Sequence, residues 1–259
     1  MLHLLSRAAT AAHLADALAG GRPERRQQIA ALDYGRAIAL GDEELGPGAW
    51  VFLGLDRLDD DSAFAVMEFR ARLGRRPGIA CHNHPTRTLH RFELFRLLHD
   101  AGVNAGDTLR LEDRRRPLRW PVFLHDELVP QVGPPELLPD AGALLAAIRR
   151  LDAAALYRPA ILIREAPGLQ ADRPRLGHVR TVGGRVFADA AARTLLARPG
   201  APDARRLAVL FAEAGIAVGS MVLAPTEQGA MVLDAGTDPV LLAAADGLPA
   251  VAEALLALA

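Results

Sequence analysis

Residues 79–109 read IACHNHPTRTLHRFELFRLLHDAGVNAGDTL, and the order of elements in this stretch decides the fold that we expect. The apolar run from Ile79 to Cys81 predicts a short strand, which ends in an Asn-His-Pro turn. Apolar residues at helical spacing then predict an amphipathic helix over residues 88–100, and Gly102 ends it. Strands and helices alternate before this stretch and hairpins follow it. The whole pattern therefore predicts an α+β (mixed α/β) fold.

The composition excludes several classes of protein. The chain has 259 residues, one cysteine (Cys81) and a formal charge of −1. A balanced charge argues against a nucleic-acid-binding protein, and one cysteine cannot form a disulfide within the chain. No apolar run reaches the roughly 18–20 residues of a membrane-spanning helix, so we expect no membrane partner and a cytoplasmic protein. All 30 Lys and Arg residues are arginine, which excludes Schiff-base and Walker-A chemistry, because both need lysine.

Periodicity and turn signals predict the other elements of the chain. Helices are predicted over residues 4–19, 59–73, 140–151 and 204–214, and Asp238-Pro239 is predicted to open a long C-terminal helix. Gly183-Gly184 predicts the turn of a hairpin. Strands are predicted over residues 37–40, 49–55, 107–112, 120–125, 159–164, 176–182, 185–188, 218–223 and 230–233.

His82 and His84 could together hold a metal ion, because side chains at i and i+2 of a strand share a face. A metal-dependent hydrolase is therefore one hypothesis. The alternative interpretation is that both residues only end a strand, with Asn83 and Pro85 shaping the turn.

A series of motifs in a fixed order resembles the ATP-grasp superfamily over residues 79–240. Asn83-His84-Pro85 precedes the helix, and Gly102-Val103 and Thr108 follow it. The later motifs are the strand WPVFLH (120–125), a loop over 126–139, a helix, the strand PAILIRE (159–165), the hairpin VGGRV (182–186), the helix end AGI (214–216) and the stretch LDAGTDP (233–239).

The resemblance implies a two-lobed ATP-grasp-like fold preceded by a small α/β domain. Residues 1–78 would form the small domain, residues 79–164 the central lobe and residues 165–259 the C-terminal lobe. Such proteins are ATP-dependent ligases that join a carboxylate to an amine or thiol through an acyl phosphate, using ATP and Mg²⁺. The implied partner is a small-molecule or peptide carboxylate. The apolar C-terminal helix leaves burial within the chain or a homodimer open.

The resemblance also implies roles for individual residues. His125 replaces the phosphate-binding lysine, and the acid Glu165 lies near adenine and ribose. Nucleotide binding is assigned to Asn83, His125, Glu165, Arg175 and Arg180, and catalysis to Asp234 and Arg185. Asp234 ends an apolar strand before a Gly turn, where a carboxylate needs a partner, and it is the predicted metal ligand. Asp238 could replace a missing ligand, although Asp-Pro is also typical of a helix start.

Two departures from the pattern weaken the prediction of catalysis. Val222 and Gly236 occupy positions where the resemblance implies oxygen ligands for Mg²⁺, and neither side chain can bind a metal. The sequence therefore favours a ligase-like protein whose catalysis is weak or lost. The alternative is a pseudo-enzyme that binds a peptide, metabolite or protein partner without turnover.

Overall fold

Three four-stranded sheets organise the part of the chain that the structure, a computed structural model, describes. The described residues are 1–7, 10–55, 58–113, 116–126, 136–154, 161–169, 175–243 and 247–259. We name the sheets, in chain order, the N-terminal, central and C-terminal sheets.

The N-terminal sheet is wholly parallel, with the strand order β2-β1-β3-β4. Its strands are β1 (Leu2–Ser6), β2 (Ile29–Asp33), β3 (Gly48–Phe52) and β4 (Ile79–His82). The helices between them are α1 (Thr10–Ala19), α2 (Pro23–Arg26), α3 (Tyr34–Ile38) and α4 (Asp60–Leu73).

Successive side chains of a strand point to opposite faces of its sheet, and helices cover both faces of the N-terminal sheet. Trp50 and Phe52 pack with residues of α3 and α4. Ala49 and Val51 pack with α1 on the other face. The helix predicted from residue 4 is wrong over residues 4–6, which belong to β1, since a short apolar run does not distinguish a strand from a helix.

The strand predicted over residues 37–40 is also wrong, because residues 34–38 form α3. Asp33 begins this helix by accepting a hydrogen bond from the Arg36 N–H over 2.9 Å. The true strand, β2, ends at the same aspartate. Apolar residues within a short helix thus gave the same pattern as a buried strand.

The central sheet is antiparallel, with the order β5-β8-β6-β7. Its elements are α5 (Arg91–Asp100), β5 (Thr108–Arg110), β6 (Val122–Asp126), β7 (Leu137–Leu138), α6 (Ala141–Ala154) and β8 (Ile161–Glu165). Val122 and Ile163 pack against α6. Phe123 and Arg164, which pair directly across β6 and β8, share the opposite face. Most of the predicted loop over 126–139 lies outside the described residues.

The C-terminal sheet is antiparallel, with the order β10-β9-β11-β12. Its strands are β9 (Gly177–Val182), β10 (Arg185–Ala188), β11 (Val218–Thr226) and β12 (Gly229–Gly236). Helices α7 (Ala190–Leu196) and α8 (Ala204–Glu213) lie between β10 and β11, and helices α9 (Pro239–Ala243) and α10 (Leu248–Leu256) follow β12. The predicted hairpin is confirmed, and its turn residues Gly183 and Gly184 have φ angles of 55° and 79°. The predicted long C-terminal helix is instead two helices, since residues 239–243 and 248–256 are separate.

The C-terminal sheet faces the central sheet. On its outer face, α5, α7 and α8 cover Val179, Met221 and Val232. On its inner face, Val222, Met231 and Leu233 pack against Phe123 of β6. The expected mixed α/β class is therefore confirmed, and the two antiparallel sheets enclose a buried layer between them.

The ends of the described chain pack together. Val251 and Leu255 of α10 are buried with Leu14 and Leu18 of α1 against the N-terminal sheet. The apolar helix that left a homodimer open is thus buried within the chain. The domain division at residue 78 stays a prediction, and β4 carries the N-terminal sheet four residues beyond it. No helix among the described residues has both the length and the apolar character needed to span a membrane.

Candidate functional site

A break in strand register turns Asp234 toward the central sheet. Val222 pairs with Asp234 and Leu223 pairs with Val232, so Leu233 is an extra residue in β12. Directly paired residues share a face, and Val222 packs against Phe123 between the sheets. Asp234 therefore lies on the inner face of the C-terminal sheet. Such bulges often redirect a side chain beside a functional site.

Asp234 forms an ion pair with Arg91 at the start of α5. Arg91 Nη2 donates to Asp234 Oδ1 over 2.8 Å, and the Ala235 N–H donates to the same oxygen over 2.9 Å. The Arg91 side chain is 3% exposed and that of Asp234 is 27% exposed. The sequence indicated that a carboxylate at this position needs a partner, and the structure provides an arginine.

Arg164 is the second arginine of this region. Its side chain is buried, and its guanidinium lies 4.2 Å from the ring centroid of Phe95 and 5.2 Å from that of Phe123. None of its three side-chain nitrogens has a hydrogen-bond partner among the described residues. Burial lowers the pKa of Arg164 to about 9, although Asp234 raises it, and Arg91 lowers it further. Arg164 thus remains charged at neutral pH.

The residues around Asp234 do not fit a magnesium ion. Mg²⁺ prefers several oxygen ligands in octahedral geometry. One Asp234 oxygen is held by Arg91, Val222 lies directly opposite, and Gly236 has no side chain. Within the described ranges, no group of three or more His, Cys, Asp or Glu side chains could hold a metal. Mg²⁺ therefore has no assigned role at this site.

Glu165 points away from this face and acts as an anchor for the chain. Arg116 donates to Glu165 Oε1 over 2.6 Å, and the backbone N–H groups of Arg119 and Asp107 donate over 2.8 and 3.2 Å. Although burial alone would raise the pKa of Glu165, these hydrogen bonds hold it below its ordinary value. Both carboxylate oxygens are thus engaged within the chain. Glu165 thus has a structural role within the chain, and its contact with a nucleotide stays a prediction.

Asn83 also has a structural role. Its φ of 59° is in the left-handed region, and its side-chain amide donates to the carbonyls of Phe52 and Val218 over 2.8 and 2.7 Å. Its Oδ1 accepts from the N–H groups of Ala217 and Val218. Asn83 therefore joins the N-terminal sheet to the C-terminal sheet. The side chain that was assigned to nucleotide binding is fully used by the backbone.

Other polar side chains share the inner faces with Asp234 and Arg164. His125 lies two residues from Phe123 on β6 and is buried. Arg180 pairs with Ser220, is also buried and donates through Nε to the carbonyl of Leu242 over 2.9 Å. The Ser220 hydroxyl has no hydrogen-bond partner among the described residues. Of the residues predicted to bind a nucleotide, His125 and Arg180 thus lie on the inner faces of their sheets, and Arg180 is bonded to α9.

Three other predicted residues lie elsewhere. Arg185 is on edge strand β10, at the opposite edge of the sheet from Asp234, and its guanidinium stacks over Phe187 at 5.3 Å. Arg185 and Asp234, the two residues predicted to be catalytic, therefore lie at opposite edges of the sheet. Arg175 is exposed before β9. Asp238 accepts a hydrogen bond from the Val240 N–H over 2.8 Å, as the alternative of a helix start predicted.

His82 is the last residue of β4, the edge strand of the N-terminal sheet, and His84 lies two residues later. The Nε2 atom of His82 is buried without a hydrogen-bond partner in the described chain, while His84 Nδ1 lies 3.0 Å from the Thr86 hydroxyl. Burial lowers the pKa of both histidines. His84 lines a groove of about 840 Å³ with Arg70 and Arg87. No third ligand joins the two histidines in the described ranges, so the described residues give no support to the hydrolase hypothesis.

Arg164 was not among the residues that the sequence pattern singled out. The residue ends an apolar strand, PAILIR, where a strand-end arginine usually reaches solvent. A signal was present in the alternation of β8, because Leu162 and Arg164 share one face and Ile163 takes the other. Phe123, which pairs with Arg164 across β6 and β8, gave this face an aromatic neighbour.

Comparisons with known proteins address the fold. No protein-family model and no curated protein matches the sequence. Among solved structures, the D-cycloserine synthetase DcsG matches with a TM-score of 0.59 at 17% identity, covering 99% of this chain and 98% of that one. The RimK-domain ATP-grasp protein of Sphaerobacter thermophilus matches with a TM-score of 0.55 at 15% identity, covering 100% and 97%.

A third solved structure is the ATP-grasp ligase PsnB in complex with precursor peptide PsnA2 and AMPPNP. It matches with a TM-score of 0.55 at 16% identity, covering 98% of this chain and 96% of that one. These similarities extend over nearly the whole chain at low identity. The chain therefore has the fold of the ATP-grasp ligases.

Proposed function

We propose that this protein is a divergent member of the ATP-grasp superfamily that binds a nucleotide between its central and C-terminal sheets and has weak or no ligase activity. The fold, which it shares with ligases, supports a nucleotide site between these sheets. Arg164, Arg180 and His125 supply cationic or hydrogen-bonding side chains on the facing surfaces. Arginine binds phosphate well through its planar fork of donors.

The ion pair between Arg91 and Asp234 is the observation that carries the proposal of weak catalysis. Phosphoryl transfer depends on positioning and on the neutralisation of charge by Mg²⁺. The carboxylate in the expected metal position is already neutralised by a buried arginine at 2.8 Å. A cation would have to displace that arginine and leave it buried without its partner, which is costly.

The test measures thermal unfolding with ATP in EDTA and again with excess Mg²⁺. A ligand that binds only the native state raises the melting temperature by mass action. We expect ATP to raise it in EDTA, with little further change from Mg²⁺. ADP release with mixed carboxylates and amines should stay at the background rate. Stabilisation that requires Mg²⁺ would contradict metal-independent binding, and turnover that Asp234→Asn abolishes would establish an active ligase.

We also propose that a peptide or small-molecule carboxylate is the second ligand. PsnB, a structural neighbour, is solved with a precursor peptide. In the present chain, the groove beside β4 is lined by Arg70, Arg87 and His84, together with Glu213. Its excess of cationic groups favours an acidic segment. Binding of a fluorescent Glu-rich peptide should weaken in Arg87→Ser and in higher salt, whereas Arg185→Ser should bind normally.

A further inference from the structure

The charged groups around Arg164 do not balance. Arg91 and Arg164 each carry a positive charge, and among the described residues Asp234 is the carboxylate whose charge acts on Arg164. Asp234 is already bonded to Arg91. A buried charge without an opposite charge and hydrogen bonds is strongly unfavourable. Among the side chains that the structure describes, the region is therefore one negative charge short.

The surroundings of Arg164 stabilise only part of its guanidinium. The guanidinium lies over the faces of the Phe95 and Phe123 rings, and these faces attract its positive charge. The ring faces accept none of the N–H groups in the guanidinium plane. Nε, Nη1 and Nη2 all lack an acceptor among the described residues. An oxyanion provides what is missing, because it carries negative charge and accepts several parallel hydrogen bonds.

The geometry points to Arg164 as the receptor for an oxyanion, a phosphate group of the ligand, in the layer between the central and C-terminal sheets. The inference rests on the proposed nucleotide site and assigns it a residue that the sequence did not single out. The site works without a metal ion, because Arg164 supplies the charge. Access requires Phe123 and its partners Val222, Met231 and Leu233 to separate, since these side chains are buried.

The experiment compares Arg164→Met with Arg110→Met. Methionine fills similar space between two aromatic rings but has no charge and no donor. Arg110 is a matched control on the neighbouring strand β5, where its guanidinium stacks over Phe92 at 4.5 Å and pairs with Glu93 near the surface. Binding of inorganic phosphate, pyrophosphate, acetate and ATP is measured by calorimetry in EDTA at constant ionic strength.

We expect at least a tenfold loss of affinity for pyrophosphate and ATP in Arg164→Met, and no more than a twofold change in Arg110→Met. Weaker binding of acetate than of phosphate identifies a phosphate site, while the reverse order identifies a carboxylate site and overturns the assignment. If Arg164→Met does not fold, the neutral variant Arg164→Gln is used, and binding in Arg164→Gln equal to that of the native protein overturns the inference. On the native protein, pyrophosphate should slow amide exchange in residues 122–126 and 161–165.

The outcomes separate this inference from the proposed function. If ATP binds equally well to the native protein and to Arg164→Met, the assignment of Arg164 is wrong and the proposed nucleotide site stands. If pyrophosphate binds through Arg164 but ATP does not bind, the proposed nucleotide site is wrong and the oxyanion site stands. If the native protein binds none of the four anions, Arg164 is a structural residue and the inference is wrong.

Discussion

Arg91 Nη2 lies 2.8 Å from Asp234 Oδ1, and this bond joins the start of α5 to the bulged end of β12. Asp234→Asn should lower the free energy of unfolding by about 2 kcal/mol, because it leaves Arg91 and Arg164 buried without a negative charge. Chemical denaturation of Asp234→Asn, Arg91→Met and the double variant should give a coupling energy of about 1–2 kcal/mol.

The ion pair between Arg26 and Asp16 is the matched control. It is equally short, 2.7 Å, but its side chains are 41% and 69% exposed. Exposed pairs contribute less than about 1 kcal/mol. A coupling energy for Arg91 and Asp234 no larger than that of the exposed pair would show that the buried pair does not hold α5 to the sheet.

Asn83→Ala should destabilise the protein by about 3 kcal/mol. The change leaves the buried carbonyls of Phe52 and Val218 and two N–H groups without partners, and it places a Cβ-bearing apolar residue at a φ of 59°. Asn83→Gly, which accepts that backbone angle but also lacks the amide, should recover about 1 kcal/mol of the loss. Equal melting temperatures for Asn83→Ala and the native protein would contradict the bridging role.

Glu165 should make stability depend on acidity. The pKa of Glu165 in the folded protein lies below the ordinary 4.5. The stabilisation that its ionised carboxylate gives the fold is therefore complete above pH 4.5 and is lost as the pH falls through the folded-state pKa. Glu165→Gln should therefore cost about 2 kcal/mol at pH 7 and progressively less below pH 4. Urea unfolding at a series of pH values measures this, and a constant difference between the two proteins would rule out the ionised carboxylate as the cause.

Gly215 and Gly102 both follow helices at nearly equal φ, 73° and 70°. A Cβ at Gly215 would meet the backbone carbonyl of Arg87, whereas at Gly102 it would meet open space. Gly102→Ala should therefore cost about 1 kcal/mol through backbone strain alone. Gly215→Ala should cost clearly more, about 3 kcal/mol, because the Asn-His-Pro turn must move. Similar melting temperatures for the two variants would show that this contact is not tight.

Local sequence signals predicted most of the elements. The hairpin at Gly183-Gly184 and the helix that Asp59 begins were correct, because turn glycines and helix-capping aspartates act within a few residues. The strand β1 and the helix α3 were misassigned, since a run of four or five apolar residues fits either structure. Whether such a run forms a strand or a helix depends on the distant parts of the chain that pack against it.

The candidate site was only partly predictable for the same reason. Asp234 was singled out from its strand-end position, but its partner Arg91 is 143 residues away and no local pattern joins them. Glu165 was assigned to a ligand, and the structure shows Arg116, which lies 49 residues before it, bound to its carboxylate. Arg164 resembled an ordinary strand-end charge. Partners that are remote in sequence gave each of these side chains its role.

The burial of α10 against α1 has a consequence for synthesis of the chain on the ribosome. One face of the N-terminal sheet, around Leu14 and Leu18, is covered by residues from 251 to 255. That face therefore stays open to chaperones until residues 248–256 have left the exit tunnel, although β1 and α1 emerge earlier. Nascent chains arrested near residue 240 should remain sensitive to proteases within residues 1–50.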